Sequence, residues 1–253
     1  MPSAPLLSGR TALVTGGSRG IGLAVAEALL EAGASVVIAG RKAPALDQAR
    51  AALSRFGDRL HGVSANVGVP EDRERLIRAT VERYGGLCIL VNNAAANPVY
   101  GKVEDTEPWA FDKIMQVNLA APFELAKLAL PHLEAADRGD VVNVSSIGGL
   151  RPERGLGIYS VSKAALNSLT KVLAREWGPR GVHVNAICPG LIRTDFSEAL
   201  WSDEKVATHL VRNTPLQRIG DPADIGAAVV AVVSSAGAYM SGHVLVADGG
   251  YTI

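Results

Sequence analysis

The sequence predicts an α/β fold in which a parallel sheet of seven strands carries helices on both faces. Short runs of β-branched and apolar residues alternate with longer stretches of helical periodicity along the chain. Repeated alternation of this kind requires right-handed crossovers and therefore a doubly wound sheet. Most of the short runs are continuously apolar, as expected for strands that are buried on both faces.

The elements follow from these patterns in chain order. Seven segments are predicted as strands: 11–14, 35–39, 60–65, 88–91, 140–144, 183–187 and 244–246. Seven longer segments are predicted as helices: 21–32, 43–55, 72–84, 109–134, 159–177, 195–212 and 223–234. In such sheets ligands bind beyond the carboxyl ends of the strands, so polar residues directly after the strands are the candidates for function.

The composition argues for one domain without a general attraction to polyanions. The 253 residues contain no linker-like stretch, repeat or low-complexity tract, which favours a single domain over residues 1–253. Lys and Arg number 25 and so do Asp and Glu, giving a net charge of zero. A neutral chain has no general attraction to nucleic acid or to an anionic membrane, so neither is expected as a partner.

The cysteines and the apolar runs indicate the compartment. Cys88 and Cys188 each lie in an apolar run and are expected to be buried free thiols, which suits a reducing environment. Residues 1–9 lack a basic region followed by an apolar stretch, so we expect no signal peptide. No apolar run reaches the roughly 20 residues that span a bilayer. These features predict a cytoplasmic protein, and the spacing of its histidines predicts no metal site.

A glycine-rich turn, TGGSRGIG, follows the first predicted strand and opens the first helix. Glycine allows the chain to reverse and to approach a ligand closely, and the N–H groups of a helix start attract phosphate. The alternative is a tight structural turn without a ligand. The predicted phosphate contacts are Gly16, Ser18, Arg19, Gly20, Ile21 and Gly22.

The spacing Gly-x3-Gly-x-Gly resembles the cofactor loop of the classical short-chain dehydrogenase/reductases. It differs from the more common Gly-x-Gly-x-x-Gly fingerprint. The resemblance runs from about residue 7 to residue 250. It implies a single-domain Rossmann fold that both binds the dinucleotide and catalyses the oxidation of alcohols or the reduction of carbonyls.

The end of the second strand indicates which nicotinamide cofactor is used. A carboxylate there would bind the ribose 2′-hydroxyl of NAD and repel the 2′-phosphate of NADP, but the chain has Arg41 and Lys42 instead. Arg41 can pair with a phosphate through two parallel hydrogen bonds, and Arg19 is expected to reach the same group. We therefore expect NADP(H), with NAD(H) less favoured. The alternative is that Arg41 and Lys42 are solvated surface charges.

Further cofactor contacts are implied by the resemblance. Asn66 and Val67 stand where the family usually has Asp-Val beside the adenine, and Asn93 precedes Ala95 where the family motif ends in glycine. A turn without ligand contacts is the alternative for the segment around Asn93 and for the loop after the sixth strand. In that loop the residues expected near the carboxamide of the nicotinamide are Pro189, Gly190, Ile192 and Thr194.

Four residues are predicted to carry the chemistry. Tyr159 and Lys163 lie four positions apart on one predicted helix face, and Ser146 follows the fifth strand. Tyr159 is expected to act as the acid in reduction and the base in oxidation, with its pKa of about 10 lowered by the ammonium of Lys163 and by the positive nicotinamide of the oxidised cofactor. Ser146 is expected to hold the substrate oxygen. By resemblance, Lys163 also holds the nicotinamide ribose.

Asn118 completes this set inside the predicted helix 109–134. By resemblance it anchors a water that links Lys163 to solvent, and the alternative is an exposed helical amide. A Tyr-x-x-x-Lys pair occurs often by chance. The specific signal is the glycine turn, Asn118, Ser146, Tyr159 and Lys163 in this order and spacing.

Substrate specificity is expected from three segments, 96–100, 147–157 and 195–212. The last carries Phe196, Leu200 and Trp201, which form either an apolar lid or packing against the body. The charged segment 151–154 is interpreted as a rim loop, with contact to an acidic substrate as the alternative.

Two segments, Asn-Pro-Val-Tyr-Gly (97–101) and Leu-Ile-Arg-Thr-Asp-Phe-Ser (191–197), resemble the carbonyl-reductase branch of the family. This resemblance implies a ketone, aldehyde or secondary alcohol as substrate, with a 3-oxoacyl thioester left open. A different class of function, a non-catalytic NADPH sensor or partner subunit, uses the same fold. Resemblance also implies a homotetramer formed through the helices 109–134 and 159–177 and the C-terminal edge.

Overall fold

The computed structural model describes residues 5–253, without the side chains at positions 199 and 206. Residues 1–4 lie outside the described residues. They belong to the predicted domain 1–253 and to the segment 1–9, in which we expect no signal peptide. No helix within residues 5–253 is long and apolar enough to cross a membrane.

The sheet has seven strands, and every neighbouring pair in it is parallel. The strands are β1 (Thr11–Thr15), β2 (Ser35–Gly40), β3 (Leu60–Ser64), β4 (Ile89–Asn92), β5 (Gly139–Val144), β6 (Val182–Pro189) and β7 (Val244–Ala247). Their order is β3-β2-β1-β4-β5-β6-β7, which confirms the predicted doubly wound fold. Because the order reverses at β1, a crevice opens beyond the carboxyl ends of β1 and β4.

Helices cover both faces of the sheet. They are α1 (Gly20–Glu31), α2 (Ala43–Ala52), α3 (Pro70–Tyr84), α4 (Pro108–Met115), α5 (Ala121–Glu134), α6 (Gly157–Trp177), α7 (Glu198–Trp201), α8 (Glu204–Arg212) and α9 (Pro222–Val233). Helices α1, α2 and α9 pack on one face, and α3, α5 and α6 pack on the other. Each crossover therefore brings a strand end and the next helix start to the same edge.

Strand periodicity divides the core into two layers. Val14 and Ile38 face the layer formed with α1, α2 and α9, whereas Leu13 and Val37 face the opposite layer. Both faces are apolar because a parallel sheet with helices on each side is buried throughout. The continuous apolar runs of the sequence are the direct signature of this arrangement.

The helix predicted over 109–134 is interrupted by a π-helical turn, Gln116–Ala120, between α4 and α5. Pro122 has no N–H to donate to the carbonyl of Asn118 four residues earlier, so regular α-helical bonding cannot continue there. Turns of this kind frequently occur at functional sites.

The helix predicted over 195–212 is also divided, into a 3-10 turn (Asp195–Ser197), α7 and α8. Asp203 accepts a hydrogen bond from the Lys205 N–H at 2.9 Å, an arrangement that starts a new helix at α8. The two interruptions are the main departures of the helices from the sequence prediction.

Candidate active site

A cavity of about 450 Å³ lies beyond the carboxyl ends of β1, β2 and β4, and we call it the cleft. It extends along the edge where the sheet order reverses, which is where the fold predicts a ligand site. Thirteen predicted residues line it: Gly16, Ser18, Arg19, Gly20, Ile21, Gly22, Arg41, Asn66, Val67, Asn93, Tyr159, Lys163 and Thr194.

The glycine turn is shaped by close contacts that exclude larger side chains. Gly16 and Gly20 have φ values of 66° and 54°, in the left-handed region. A Cβ atom on Gly22 would collide with the Gly16 carbonyl oxygen. Asn93 holds the turn to the end of β4 by donating from Nδ2 to the Thr15 carbonyl at 2.9 Å. The turn therefore keeps its shape through its own contacts.

The first turn of α1 lines the cleft and is not capped by a side chain. Arg19 at its N-cap makes no capping hydrogen bond with its side chain, and the first turn contains no acidic residue. By contrast, α3 has Glu71 and Asp72 in its first turn. The electropositive end of α1 is thus free for an anion.

Two arginines reach the cleft from different segments. Arg41, after β2, is exposed and has no salt bridge within residues 5–253. Arg19 forms an ion pair with Asp195 at 2.8 Å, and both side chains are largely exposed. The sequence did not lead us to Lys113 of α4, which also lines the cleft near Asn66.

Asn66 is held by the chain around it. Its backbone N–H donates to the Asp72 carboxylate at 2.7 Å, and its Oδ1 accepts from the Gly68 N–H at 3.1 Å. Burial opposes a low pKa for Asp72, but the hydrogen bond from Asn66, followed by that from Arg75, lowers this pKa. The amide of Asn66 is therefore fixed at the wall of the cleft.

A second cavity of about 310 Å³ adjoins the cleft, and we call it the pocket. Four further predicted site residues line the pocket, namely Ser146, Pro189, Gly190 and Ile192. Tyr159 and Thr194 line both cavities. Tyr159 thus lies where the cleft and the pocket meet.

Tyr159 and Lys163 lie on α6 and are both buried. The Nζ of Lys163 donates to the Val144 carbonyl at 2.8 Å and lies 5.6 Å from the centre of the Tyr159 ring. Ser146 is at the N-cap of the short turn after β5, where its Oγ accepts from the Gly148 N–H at 3.0 Å. The helix and the end of β5 together bring the three polar groups to one place.

The two titratable groups have strongly shifted pKa values. Burial raises the pKa of Tyr159 to about 12, although a hydrogen bond from Ser146 opposes the rise. Burial lowers the pKa of Lys163 to about 8. The expectation that Lys163 lowers the pKa of Tyr159 is wrong for this structure. The ammonium group contacts the ring face and the Val144 carbonyl rather than the phenolic oxygen, so desolvation dominates.

Asn118 is 0 % exposed, so the interpretation as an exposed helical amide is wrong. Its Oδ1 accepts from the Ala96 N–H at 2.8 Å, and its Nδ2 donates to the Ala96 carbonyl and the Ser162 hydroxyl at 3.0 Å each. Among the predicted site residues, Asn118 is the one that lines neither cavity. It ties the segment after β4 to α6.

The three predicted specificity segments all contribute to the pocket wall. Phe196 and Leu200 line the pocket, and the Phe196 ring centre lies 6.0 Å from that of Tyr159. Trp201 instead packs on its own segment, donating to the Thr194 carbonyl at 2.9 Å beneath the Arg193 guanidinium. The lid interpretation therefore fits the first two residues and the packing interpretation fits the third.

Two further findings differ from the sequence reading. Tyr251 of the C-terminal segment lines the pocket, whereas the sequence offered no signal beyond an expected interface turn. Both cysteines are free, but only Cys188 is fully buried, because Cys88 precedes the first residue of β4 and is half-buried.

Comparisons with known proteins agree with this geometry. Residues 16–252 match a family model described as enoyl-(acyl carrier protein) reductase. The chain is 41% identical over 244 residues to human dehydrogenase/reductase SDR family member 4, covering 96% of this chain and 88% of that protein.

Solved structures are equally similar in fold. A putative short-chain alcohol dehydrogenase from Sinorhizobium meliloti has a TM-score of 0.93 at 37% identity, covering 99% of each chain. An NADP active-site complex of Pseudomonas aeruginosa RhlG has a TM-score of 0.92 at 34% identity, covering 100% of each chain. The chain belongs to the short-chain dehydrogenase/reductase family. It is an oxidoreductase that acts on CH–OH or C=O groups of small molecules with a nicotinamide cofactor.

Proposed function

We propose that the protein is an NADPH-dependent carbonyl reductase or alcohol dehydrogenase acting on a ketone, an aldehyde or a secondary alcohol. The observation that carries the proposal is the position of Tyr159 between the cleft and the pocket. Lys163 lies on the cleft side and Ser146 on the pocket side of this residue. We also propose that residues 1–253 act as one dinucleotide-binding and catalytic domain.

The cleft fits a dinucleotide. A Cβ atom on Gly16 would lie 2.8 Å from Asn93 Nδ2, so only glycine lets the turn pack against the segment after β4 at the cleft. Asn66 and Val67 would border the adenine, and Asn93 its ribose. At the other end, Pro189, Gly190, Ile192 and Thr194 would hold the nicotinamide carboxamide.

NADP(H) is favoured over NAD(H) because no carboxylate follows β2 and Arg41 has no competing ion pair within residues 5–253. Arg41 and Arg19 would bind the 2′-phosphate through charge-assisted hydrogen bonds. The NADP complex of the Pseudomonas protein supports the same assignment.

The residues of the chain supply the proton and the positioning. NADPH, when bound in the cleft, would supply the hydride for the carbonyl carbon. Tyr159 donates its phenolic proton to the carbonyl oxygen, so that the alcohol forms and the phenolate is left. In the oxidative direction the phenolate accepts the hydroxyl proton. A hydrogen bond from the Ser146 hydroxyl favours the charge of the phenolate, and Ser146 also holds the substrate oxygen.

Lys163 and Asn118 complete the proton path. Lys163 would hold the nicotinamide ribose and return a proton to Tyr159. Asn118 is a positioning residue through Ala96 and Ser162. A water at the π-helical turn around Asn118 would connect Lys163 with solvent.

For the assembly we propose a homotetramer through α4, α5 and α6. Large apolar side chains of α4 and α5, Trp109, Phe111 and Phe123, are exposed in the single chain. Burial of such side chains is a common feature of subunit contacts. For the compartment we propose the cytoplasm, since free cysteines suit a reducing environment.

The test follows NADPH absorbance with a panel of apolar ketones, aldehydes, diketones and 3-oxoacyl thioesters. Tyr159→Phe is expected to lose about 100-fold to 10,000-fold in kcat/KM, because the proton donor is removed. Tyr239→Phe, at a fully exposed tyrosine, is the matched control. A Tyr159→Phe variant as fast as the unmodified protein would falsify the acid–base assignment. NADPH binding without reduction of any compound would instead favour a sensor.

A further inference from the structure

The pocket has mainly apolar walls with a small charged sector. The walls include Val99, Ile147, Leu156, Leu200, Leu210 and Val211. An apolar cavity with few polar groups selects its ligand largely through those groups, because each unpaired one is costly to desolvate. The charged sector therefore carries the information about substrate chemistry.

Three charged residues line the pocket, namely Glu153, Arg218 and Asp248. Arg218 is neutralised by two hydrogen bonds to Asp224, at 2.7 and 2.8 Å. Asp248 accepts from the Gly250 N–H at 2.8 Å and from both the N–H and the hydroxyl of Thr252. Both side chains are thus committed to the protein.

Glu153 differs from the other two. Its carboxylate has no salt bridge within residues 5–253, and it faces the hydroxyl of Tyr251 across the pocket wall. Burial and then the negative charge of Glu153 raise the pKa of Tyr251, so this hydroxyl keeps its proton. Arg151 lies in the same segment but is exposed and does not line the pocket.

Both residues are held in place without a ligand. The Leu156 N–H donates to the Glu153 carbonyl at 3.2 Å. The carbonyl of Gly155 accepts from the Gly101 N–H at 3.2 Å, and the ring of Tyr100 packs against Gly155. The Asp248 hydrogen bonds fix the turn that carries Tyr251. The backbone segments that carry Glu153 and Tyr251 are therefore held at the pocket by contacts within the protein.

We infer that Glu153, with Tyr251 beside it, is a specificity-determining carboxylate for the substrate of this pocket. It selects carbonyl compounds whose apolar body carries an ammonium or another hydrogen-bond donor, and it disfavours those carrying a carboxylate. The inference rests on the proposed carbonyl reduction at Tyr159. It replaces the idea that the segment 151–154 meets an acidic substrate, because the carboxylate of this segment, rather than its arginines, lines the pocket.

The test uses acetophenones that differ only in the para group, which is aminomethyl, ethyl or carboxylate. In the unmodified protein kcat/KM is expected to fall about threefold to fivefold at each step of that series, the size expected for a half-exposed charge. Glu153→Gln should bring all three compounds within about twofold of one another, with the change mainly in KM. Tyr251→Phe should weaken the ammonium preference without removing it.

Glu176→Gln is the matched control, since it removes the same charge from an exposed position on α6. The specificity assignment is overturned if Glu153→Gln leaves the ratios of the three compounds as they were. Calorimetric titration of the three compounds into the protein loaded with NADP⁺, which has no hydride to transfer, measures the same preference in binding without turnover. If the three compounds bind with the expected ratios but none is reduced, only the proposed reaction is contradicted. If the compounds are reduced but bind equally well, only the role of Glu153 is contradicted.

Discussion

Arg19 of the glycine turn and Asp195 of the loop after β6 form an ion pair of 2.8 Å across the opening of the cleft. The two residues are 176 positions apart in the chain. Their side chains are 66% and 71% exposed, so the pair contributes little to stability. Its importance is that the carboxylate occupies an arginine that we assign to the 2′-phosphate.

The first prediction concerns this competition. Asp195→Asn should lower the Kd of NADPH by about threefold, because Arg19 no longer has to break an ion pair with a carboxylate before it binds the 2′-phosphate. The Kd of NADH should not change. Fluorescence titration of both cofactors measures the effect, with Asp58→Asn as a control at an exposed aspartate that pairs with Arg83 instead. An equal change for NADPH and NADH would contradict the competition.

The second prediction concerns cofactor choice. Arg41→Ala should raise the Kd of NADPH by about tenfold to 100-fold and leave that of NADH nearly unchanged, since a charge-assisted pair with the phosphate is lost. Lys42→Ala is the matched control, because the neighbouring Lys42 is exposed but does not line the cleft. If both variants weaken NADPH binding equally, general surface charge rather than Arg41 determines the preference.

The third prediction concerns pH. The pKa of Lys163 is lowered to about 8, so its ammonium is lost as the pH rises through that value. Tyr159, with a pKa raised to about 12, keeps its proton over the same range. The kcat/KM for carbonyl reduction should therefore be level below about pH 8 and decline above it. Steady-state rates between about pH 6 and pH 10 test this, and a level profile up to pH 10 would count against the role of Lys163.

Unfolding does not account for such a decline. Between about pH 8 and the ordinary lysine pKa of 10.5, the unfolded chain binds more protons at Lys163 than the folded chain does. The contribution of Lys163 to the free energy of unfolding therefore rises with pH in this interval. Circular dichroism at each pH provides the check.

The fourth prediction concerns stability away from the site. Asp140 is 1% exposed and pairs with Arg10 at 2.7 Å and Arg138 at 2.8 Å, and both arginines also bind carbonyls at the end of α9. Asp140→Ala should lower the free energy of unfolding by about 3 kcal/mol, since two partly buried guanidinium groups lose their counter-charge. Urea denaturation measures it.

The control for this prediction is Asp47→Ala. Asp47 is exposed and lies 3.8 Å from Arg50, so its loss should cost less than about 0.5 kcal/mol. Similar losses of unfolding free energy in the two variants would show that the burial of Asp140 and its two arginines does not strengthen their contribution to stability.

Most of the fold was predictable because the pattern that indicates it is local. The apolar runs that became β1, β2 and β4 read as doubly buried strands, and their alternation with helices required a parallel sheet. The helix 109–134 was predicted too simply. The π-helical turn around Asn118 depends on Pro122 and on contacts with Ala96 and Ser162, and the contacts are visible only in three dimensions.

The sequence by itself indicated where the cleft lies and many of the residues that line it, because the carboxyl ends of parallel strands meet at one edge of the sheet. Gly16 and Asn93 directly follow strands, whereas Tyr159 was found from its spacing to Lys163 and from the resemblance. Tertiary structure decided what depends on burial and on distances between remote segments. It buried Tyr159, which raises the pKa of the tyrosine, and it placed the Lys163 ammonium over the ring rather than at the phenolic oxygen. It also brought Tyr251 to Glu153, because the last segment of the chain folds back to the pocket by a route that no local pattern encodes.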